Sequence, residues 1–449
     1  MKYDALIIGF GKAGKTLAAY LAQQGKKVAL VEKSSRMYGG TCINVGCIPS
    51  KSLVLSAAKS AADPEKAFEA AAERYKNAVL EKRRLVAMLN KKNFDKLDLN
   101  PNVTVVDGTA RFLDPNTVEV AAGIERMLLS ADKIYINTGS VSVVPRIEGI
   151  ANNPHVYFSD TLMDEERLPK RLAIVGGGYI GLEFASMYAK FGAEVTVFQD
   201  GDKFLPREDA DVAEEIKRIL EKQGVEFKLG VKILSVDDSG GLHYMENEEP
   251  CSYPSDAVLL ATGRRPNTDE LNLSAANVEM TSRGGIVTDD NLKTTQEGIY
   301  AMGDVRGGLQ FTYYSLDDYR IIVSGLTGGS YTNAGRKNIP YNVFMATPFA
   351  RVGMNETEAK AAGVDYRLLK LPVAAIPKAH VMGKTEGFLK ALVDGGGKIL
   401  GAMLICEESY EMINIVKLAM DMNADYTVLR DQIFTHPTMS EALNDLFSL

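Results

Sequence analysis

Apolar and polar positions fall along this chain in blocks whose period and length predict its architecture. Residues 3–8, YDALII, form a short apolar run of the kind a buried parallel strand requires. GFGKAG follows, then TLAAYLAQQG with apolar residues at helical spacing, then KVALVE as a second strand. The same order returns at residues 171–198, RLAIVGGGYIGLEFASMYAKFGAEVTVF. A smaller echo accompanies it: INTGS at 136–140 and LATGRRPN at 260–267 each read as a strand ending in Thr-Gly, with Thr138 and Gly139 in the first. Two such units imply two Rossmann-like nucleotide-binding domains, and two nucleotides of which one passes electrons to the other.

The rest of the pattern is different. Residues 52–97 are rich in Ala, Lys and Glu and poor in Gly and Pro, which predicts long helices, read as a solvated pair. Short strand runs such as NVTVVDG and TVEV alternate with turns from 101 to 130. Beyond RKNIP at 336–340 come the strands FLKALVD and KILGAMLICEE, a helix through EMINIVKLAMDMNA and a last helix after THPTMSE, which predict a C-terminal α+β domain.

Composition narrows the function classes. At 449 residues the chain exceeds one ordinary core and suggests about three domains. Its 46% hydrophobic and 24% charged residues describe a soluble globular protein. A net charge of −7 offers no basic face for nucleic acid, so an anionic ligand must be held by local devices such as helix N-termini. No apolar run approaches a membrane span, and ALIIGFGKAG is too short and glycine-rich for a signal peptide, so the cytoplasm is expected. Disulfides there are transient or catalytic rather than structural.

The first glycine set is Gly9, Gly11 and Gly14, with Glu32 eighteen residues beyond at the end of the second strand. The first glycine permits the tight turn, the second lets backbone approach a pyrophosphate, and the third lets helix pack on strand. Glu32 can accept from a ribose hydroxyl. Without its ligand such a turn is merely a strand–helix connection, but its place after a strand favours nucleotide binding. In the second set, Gly176, Gly178 and Gly181, the following strand ends in Gln199 where an acid would repel the 2′-phosphate of NADP. The missing charge tilts the expected coenzyme towards NADPH, with NADH the alternative. Lys203 and Arg207 are phosphate ligands or ordinary surface charge.

Two of the four cysteines, Cys42 and Cys47, stand with four residues between them in GGTCINVGCIPSK. A metal site wants further ligands, and neither Cys251, Cys406 nor the four histidines show ligand spacing, so no metal is expected. A structural disulfide does not suit the cytosol. Cysteines at a helix start gain thiolate character, so a redox pair is the favoured reading. Near the C-terminus His436 precedes Pro437, and Glu441 is placed to orient and charge its imidazole. Such a pair exchanges protons with a thiol near neutral pH; a lone histidine is as often a satisfied structural group.

Taken together, GFGKAG, GGTCINVGCIPSK, GGGYIGLEFA, ATGRRPN, YAMGDV and HPTMSE resemble the pyridine nucleotide–disulfide oxidoreductases over nearly the whole length. The resemblance implies FAD and NADPH or NADH as cofactors, and a homodimer in which His436 and Glu441 complete the partner subunit's site. It implies an FAD-binding domain in two parts, 1–148 and 269–335, an NAD(P)-binding domain at 149–268, and a dimerisation domain at 336–449. Cys42 becomes the interchange thiol and Cys47 the thiolate facing the flavin. Lys51 pairs with Glu183 near flavin N5, and Tyr179 covers the nicotinamide pocket. Thr41, Ala110 and Asp304 contact FAD, Gly263 lies beside the nicotinamide nucleotide, and Ile233 lies near its adenine.

Within the family, IGFGKAGKTLA, MYGGTCIN, GGLQFTYYSLDDYR, LPVAAIP, EMINIVK and LRDQIFTHPTMSE look most like bacterial reactive-chlorine-resistance reductases. That group includes hypothiocyanous acid reductases, and copper(II) reduction is also attributed to it. No cysteine follows Cys406, which argues against mercury handling by a C-terminal cysteine pair. The expected substrate is a small oxidant, hypothiocyanous acid first and copper(II) second. A reading of another class is a flavoprotein redox sensor signalling through Cys42. Phe311, Tyr313 and Tyr314 either narrow access to the site or pack in a core.

Overall fold

The computed structural model describes residues 1–449. Its first sheet places Lys2–Ile8 at the centre, with Val28–Glu32 and then Val103–Asp107 on one side and Glu125–Ile136 on the other. These pairings are parallel, and Ile299–Ala301, returning from far along the chain, adds a parallel strand beside residues 134–136. The strand Glu125–Ile136 serves two sheets' worth of partners. Its first half pairs antiparallel with Thr117–Ala122, and its second half runs parallel to the first strand.

The helix Lys12–Gln23 follows the first glycine turn. A Cβ on Gly9 would lie 2.3 Å from the carbonyl oxygen of Asn137, and Gly9 has φ +105°. A Cβ on Gly14 would lie 2.5 Å from the Gly9 carbonyl oxygen. The turn is therefore glycine-rich because strand ends crowd it, independently of any ligand.

A second parallel sheet runs Val225–Leu229, Glu194–Gln199, Arg171–Val175, Ala257–Leu260, Val156–Tyr157. A three-stranded antiparallel sheet, Lys232–Val236, Leu242–Glu246 and Glu249–Tyr253, lies beside it. The two Thr-Gly echoes meet each other: Ser140–Ser142 pairs antiparallel with Arg264–Pro266, in a two-stranded ribbon between the two halves.

The predicted helical pair exists as Cys47–Ala62 and Phe68–Asp98, but it is not solvated on all sides. Leu53, Ala57, Tyr75 and Val79 are buried in a core shared with Leu182, Tyr188 and Phe191 of the helix Tyr179–Phe191. Tyr75 and Tyr188 exchange a hydroxyl hydrogen bond of 2.8 Å there. Alanines allow the close approach, and each buried Leu or Val contributes about 2 kcal/mol. The Lys- and Glu-rich outer face masked this stripe in the sequence.

The C-terminal domain is an antiparallel sheet ordered Tyr341–Val343, Phe349–Gly353, Ile399–Ile405, Phe388–Val393, Arg367–Pro372. Ser409–Asp421 and Ala442–Phe447 are its principal helices. Arg367–Pro372 was not apparent in the sequence, where Arg and Lys interrupt its alternation. No helix of the chain is long and apolar enough to cross a membrane.

Candidate functional site

A cavity of about 950 Å³ runs from the first glycine turn to the paired cysteines. Gly9, Gly11, Glu32, Thr41, Ala110, Thr138, Gly139 and Asp304 line one end of it. Cys42, Cys47, Lys51, Tyr179 and Glu183 line the other, so the structure brings these thirteen expected residues to one space. Gly14 lies behind the wall, its N–H donating to Asn137 Oδ1 at 2.9 Å.

The donor set at the first end fits FAD. Gly11 begins the helix Lys12–Gln23 without a side-chain cap; Ala13 N–H donates to Ser315 Oγ at 3.3 Å and Gly14 N–H to Asn137, which leaves the N–H groups of Gly11 and Lys12 to meet a pyrophosphate. Glu32 accepts from Phe10 N at 2.9 Å and Ser34 N at 3.2 Å. A carboxylate has about four acceptor positions, so two stay open to hydroxyls. Burial pushes the Glu32 carboxyl up, against those two bonds. Asp304 receives Ser140 Oγ at 2.9 Å, and burial likewise raises its carboxyl. Asn342 Oδ1, a buried side-chain oxygen with no partner, belongs to a residue lining the same cavity.

Cys42 lies in the short helix Thr41–Asn44, and Cys47 is the first residue of Cys47–Ala62. Both are free thiols in this structure. Thr312, the first residue of the helix Thr312–Leu326, places its Oγ1 3.5 Å from Cys47 Sγ. Two helix N-termini thus converge on one sulfur, a positive environment for a thiolate. Hydrogen bonding from Cys42 is the largest cause holding Cys47 low, to about 6, with Thr312 and Lys51 helping against burial. Cys42 is pushed well above the ordinary thiol range by that same bond and by burial. Of the pair, Cys47 is the one whose surroundings, Thr312, Lys51 and its own helix N-terminus, favour the thiolate.

Lys51 sits one turn after Cys47 and reaches Glu183 Oε2 at 2.7 Å. Glu183 Oε1 accepts from Phe344 N at 2.9 Å, and Lys51 Nζ stands 4.7 Å from the Phe344 ring centroid. In the reduced apoprotein the ultraviolet thiolate absorbance is expected to rise through pH about 6. Lys51→Met should move that midpoint upward by removing a cation. A midpoint at the free-thiol value of about 8.5 in both proteins would contradict the assignment.

Tyr179 heads its helix four residues before Glu183, and its hydroxyl is bound to the buried Glu208 carboxylate. Tyr341 donates to the same carboxylate, and Arg351 Nη1 lies 3.2 Å from it. Tyr179 and Tyr341 stack at 5.5 Å, Phe311 lies 6.4 Å from Tyr341, and Tyr313 5.1 Å from Phe311. Phe311 and Tyr313 line the cavity, whereas Tyr314 stacks under Arg336 and contributes to packing. Nothing in the local sequence pattern marks Glu208, Tyr341 or Thr312 as members of the site. Asn137, whose Nδ2 donates to Met302 O at 2.6 Å, ties the two halves of the first domain and stood unmarked inside the quoted INTGS.

The second glycine turn lies apart from this cavity. Gly176 has φ +114°, and a Cβ there would lie 2.5 Å from the Ala261 carbonyl oxygen. A Cβ on Gly181 would lie 2.1 Å from the Gly176 carbonyl oxygen, but Gly178 has open space beside it and caps Tyr179–Phe191 without a side chain. Gly263, with φ +104°, also faces open space. Those two open positions fit a dinucleotide laid across the turn. Gln199 binds the loop carbonyls of Gly201 and Lys203 at 2.9 Å each. Ile233 packs half-buried against the core of Ala173, Phe198 and Val258.

His436 and Glu441 are not brought to the cysteines within one chain. They pair with each other, Nδ1 to Oε2 at 2.8 Å, with His436 69% exposed. Asp209, Asp211 and Glu356 cluster as a metal site would, but the fully buried Lys390 fills the centre, its Nζ 2.9, 2.8 and 2.6 Å from the three carboxylates.

Residues 3–318 match the family described as pyridine nucleotide-disulphide oxidoreductase, and residues 339–447 match its dimerisation domain. The chain is 48% identical to the probable pyridine nucleotide-disulfide oxidoreductase RclA of Escherichia coli, over 100% of this chain and 99% of that one. It is 33% identical to a mercuric reductase of Lysinibacillus sphaericus, over 98% of this chain and 81% of the relative. A dihydrolipoyl dehydrogenase of Bacillus subtilis is also 33% identical, over 99% and 97%. The solved HOCl-induced flavoprotein disulfide reductase RclA from Escherichia coli superposes with a TM-score of 0.93 at 48% identity, covering 100% of both chains. A Cu(II) complex of that protein gives the same TM-score at 47% identity, covering 100% of this chain and 99% of that one.

Proposed function

This chain belongs to the pyridine nucleotide–disulphide oxidoreductase family, whose members are FAD- and NAD(P)H-dependent enzymes, and from that premise we propose that it reduces hypothiocyanous acid at Cys42 and Cys47. The observation that carries the reading is that Cys42 and Cys47, both free thiols, line the flavin-sized cavity together, with Thr312 Oγ1 3.5 Å from Cys47 Sγ. The HOCl-induced relative supports a role in oxidant defence, and the cytoplasm, where thiols are kept reduced, is the proposed compartment. The sheets support the division into FAD-binding parts 1–148 and 269–335, an NAD(P)-binding domain 149–268 and a dimerisation domain 336–449.

Glu32, Asp304 and the first glycine turn would hold FAD, with the Lys51–Glu183 pair as a fixed charge couple at the same cavity, and the bound group would supply the two-electron relay from NAD(P)H to the disulfide. Once reduced, Cys42 loses its proton to His436 of the partner subunit, which Glu441 orients. The Cys42 thiolate attacks the electrophilic sulfur of hypothiocyanous acid, forming an S–S bond as the S–O bond breaks and water leaves. The Cys47 thiolate then attacks the Cys42 sulfur, re-forming the disulfide and expelling thiocyanate. Two thiols and one hypothiocyanous acid give one disulfide, water, thiocyanate and a proton. A good leaving group asks little beyond a thiolate and its geometry.

The Cu(II) complex of the E. coli relative favours a second reading, in which the thiols pass electrons to copper(II). Steady-state coenzyme oxidation with each acceptor separates the two. Hypothiocyanous acid is expected to give a kcat/KM at least about 100-fold the higher, a difference of roughly 2.7 kcal/mol. The reverse ratio would make copper the substrate.

A further inference from the structure

We propose that Gln199 makes NADH the preferred coenzyme, its carboxamide oxygen accepting from the 2′-hydroxyl of the unphosphorylated adenosine ribose. This rests on the reading that the second glycine turn binds the reducing coenzyme. An amide nitrogen carries two donors, and both are committed here, to Gly201 O and Lys203 O at 2.9 Å each. The amide orientation is therefore fixed, and Oε1 points the other way. A Cβ on Gly177 would lie only 2.4 Å from Oε1, so that oxygen rests against the glycine turn, and no protein donor reaches it. Gln199 ends the second strand of its unit, the position from which an acceptor meets the ribose.

Loss of an acid at this position tilts the sequence reading towards NADPH, because a charge is gone. The structure reverses the tilt, because what faces the ribose is still an acceptor. A 2′-phosphate would meet a carbonyl-type oxygen and no fixed N–H. The exposed Asp200 carboxylate follows in the chain. Lys203 and Arg207 are exposed and form no ion pair. The main chain of Arg207 is held at the C-terminal domain, its carbonyl accepting from Arg351 and Asn355. Lys203 would have to order a flexible stem to serve a phosphate, whereas Gln199 is already in place.

The test is calorimetric titration of the oxidised, FAD-loaded dimer with NAD⁺, NADP⁺ and NAD⁺ lacking the adenosine 2′-hydroxyl, where no turnover occurs. NAD⁺ is expected to bind at least about tenfold more tightly than NADP⁺, and about fivefold or more tighter than its deoxy analogue. In Gln199→Met, with FAD content and melting temperature as controls, both ratios should fall to about twofold or less. The ligand comparison on the unaltered protein stands even where that variant disturbs its loop. Wild-type protein that binds NADP⁺ as tightly as NAD⁺, or ignores loss of the hydroxyl, overturns the proposal. An NADP⁺ preference removed by Lys203→Ala would overturn it and assign Lys203 to the phosphate. Binding of neither dinucleotide would instead defeat the reading of the second turn, and this proposal with it.

Discussion

Serine at Cys42 is expected to lower acceptor reduction by on the order of 10³-fold or more while FAD stays bound. The size follows from the division of labour in the pair. Thr312, Lys51 and two helix N-termini favour a thiolate at Cys47, on the flavin side of the pair. In this account Cys42 is the member that meets an outside oxidant. A serine hydroxyl there retains the hydrogen bond but is a far weaker nucleophile towards sulfur. FAD should be retained, since Glu32, Asp304 and the first glycine turn are untouched. A Cys42→Ser protein with unchanged turnover, measured at equal flavin content, would defeat the mechanism and leave the fold standing.

The second large effect concerns the C-terminal pair. His436 is exposed and pairs only with Glu441, and it does not line the cavity of Cys42 within its own chain. His436→Ala should therefore lower turnover by about 10²- to 10⁴-fold, the usual weight of a positioned general base. Mixing it with Cys42→Ser and allowing subunits to exchange gives a sharper result. Each hybrid dimer then holds one site with both defects and one with neither. Random pairing should restore about one quarter of wild-type activity. If the mixture stays as inactive as its parents although hybrids are shown to form, His436 does not act across the subunit boundary.

Legibility in the sequence followed the range of the interactions. The first glycine turn, Glu32 and the cysteine pair are local patterns, and the residues that need glycine lie a few positions apart. Gly9 nevertheless owes its φ +105° to the carbonyl of Asn137, a partner no local window includes. Likewise Thr312 reaches Cys47 across 265 positions, and Glu208 gathers Tyr179, Tyr341 and Arg351 from two domains. Such convergence is set by topology. The helices Cys47–Ala62 and Phe68–Asp98 show the same limit in a core. Their apolar stripe is made of small alanines beside Leu53, Tyr75 and Val79, and only the partner helix Tyr179–Phe191 reveals it as buried. Gln199 marks a third kind of limit, because its residue type states a lost charge while its orientation keeps an acceptor.

The most direct test mixes the two-electron-reduced holoenzyme rapidly with hypothiocyanous acid, at one equivalent, and follows the long-wavelength thiolate–flavin absorbance. The account predicts that the band disappears in one fast phase, with one thiocyanate released per Cys42–Cys47 disulfide formed, and that Cys47→Ser never shows the band. A band that persists through mixing, or that decays without a disulfide between these two residues, would contradict it.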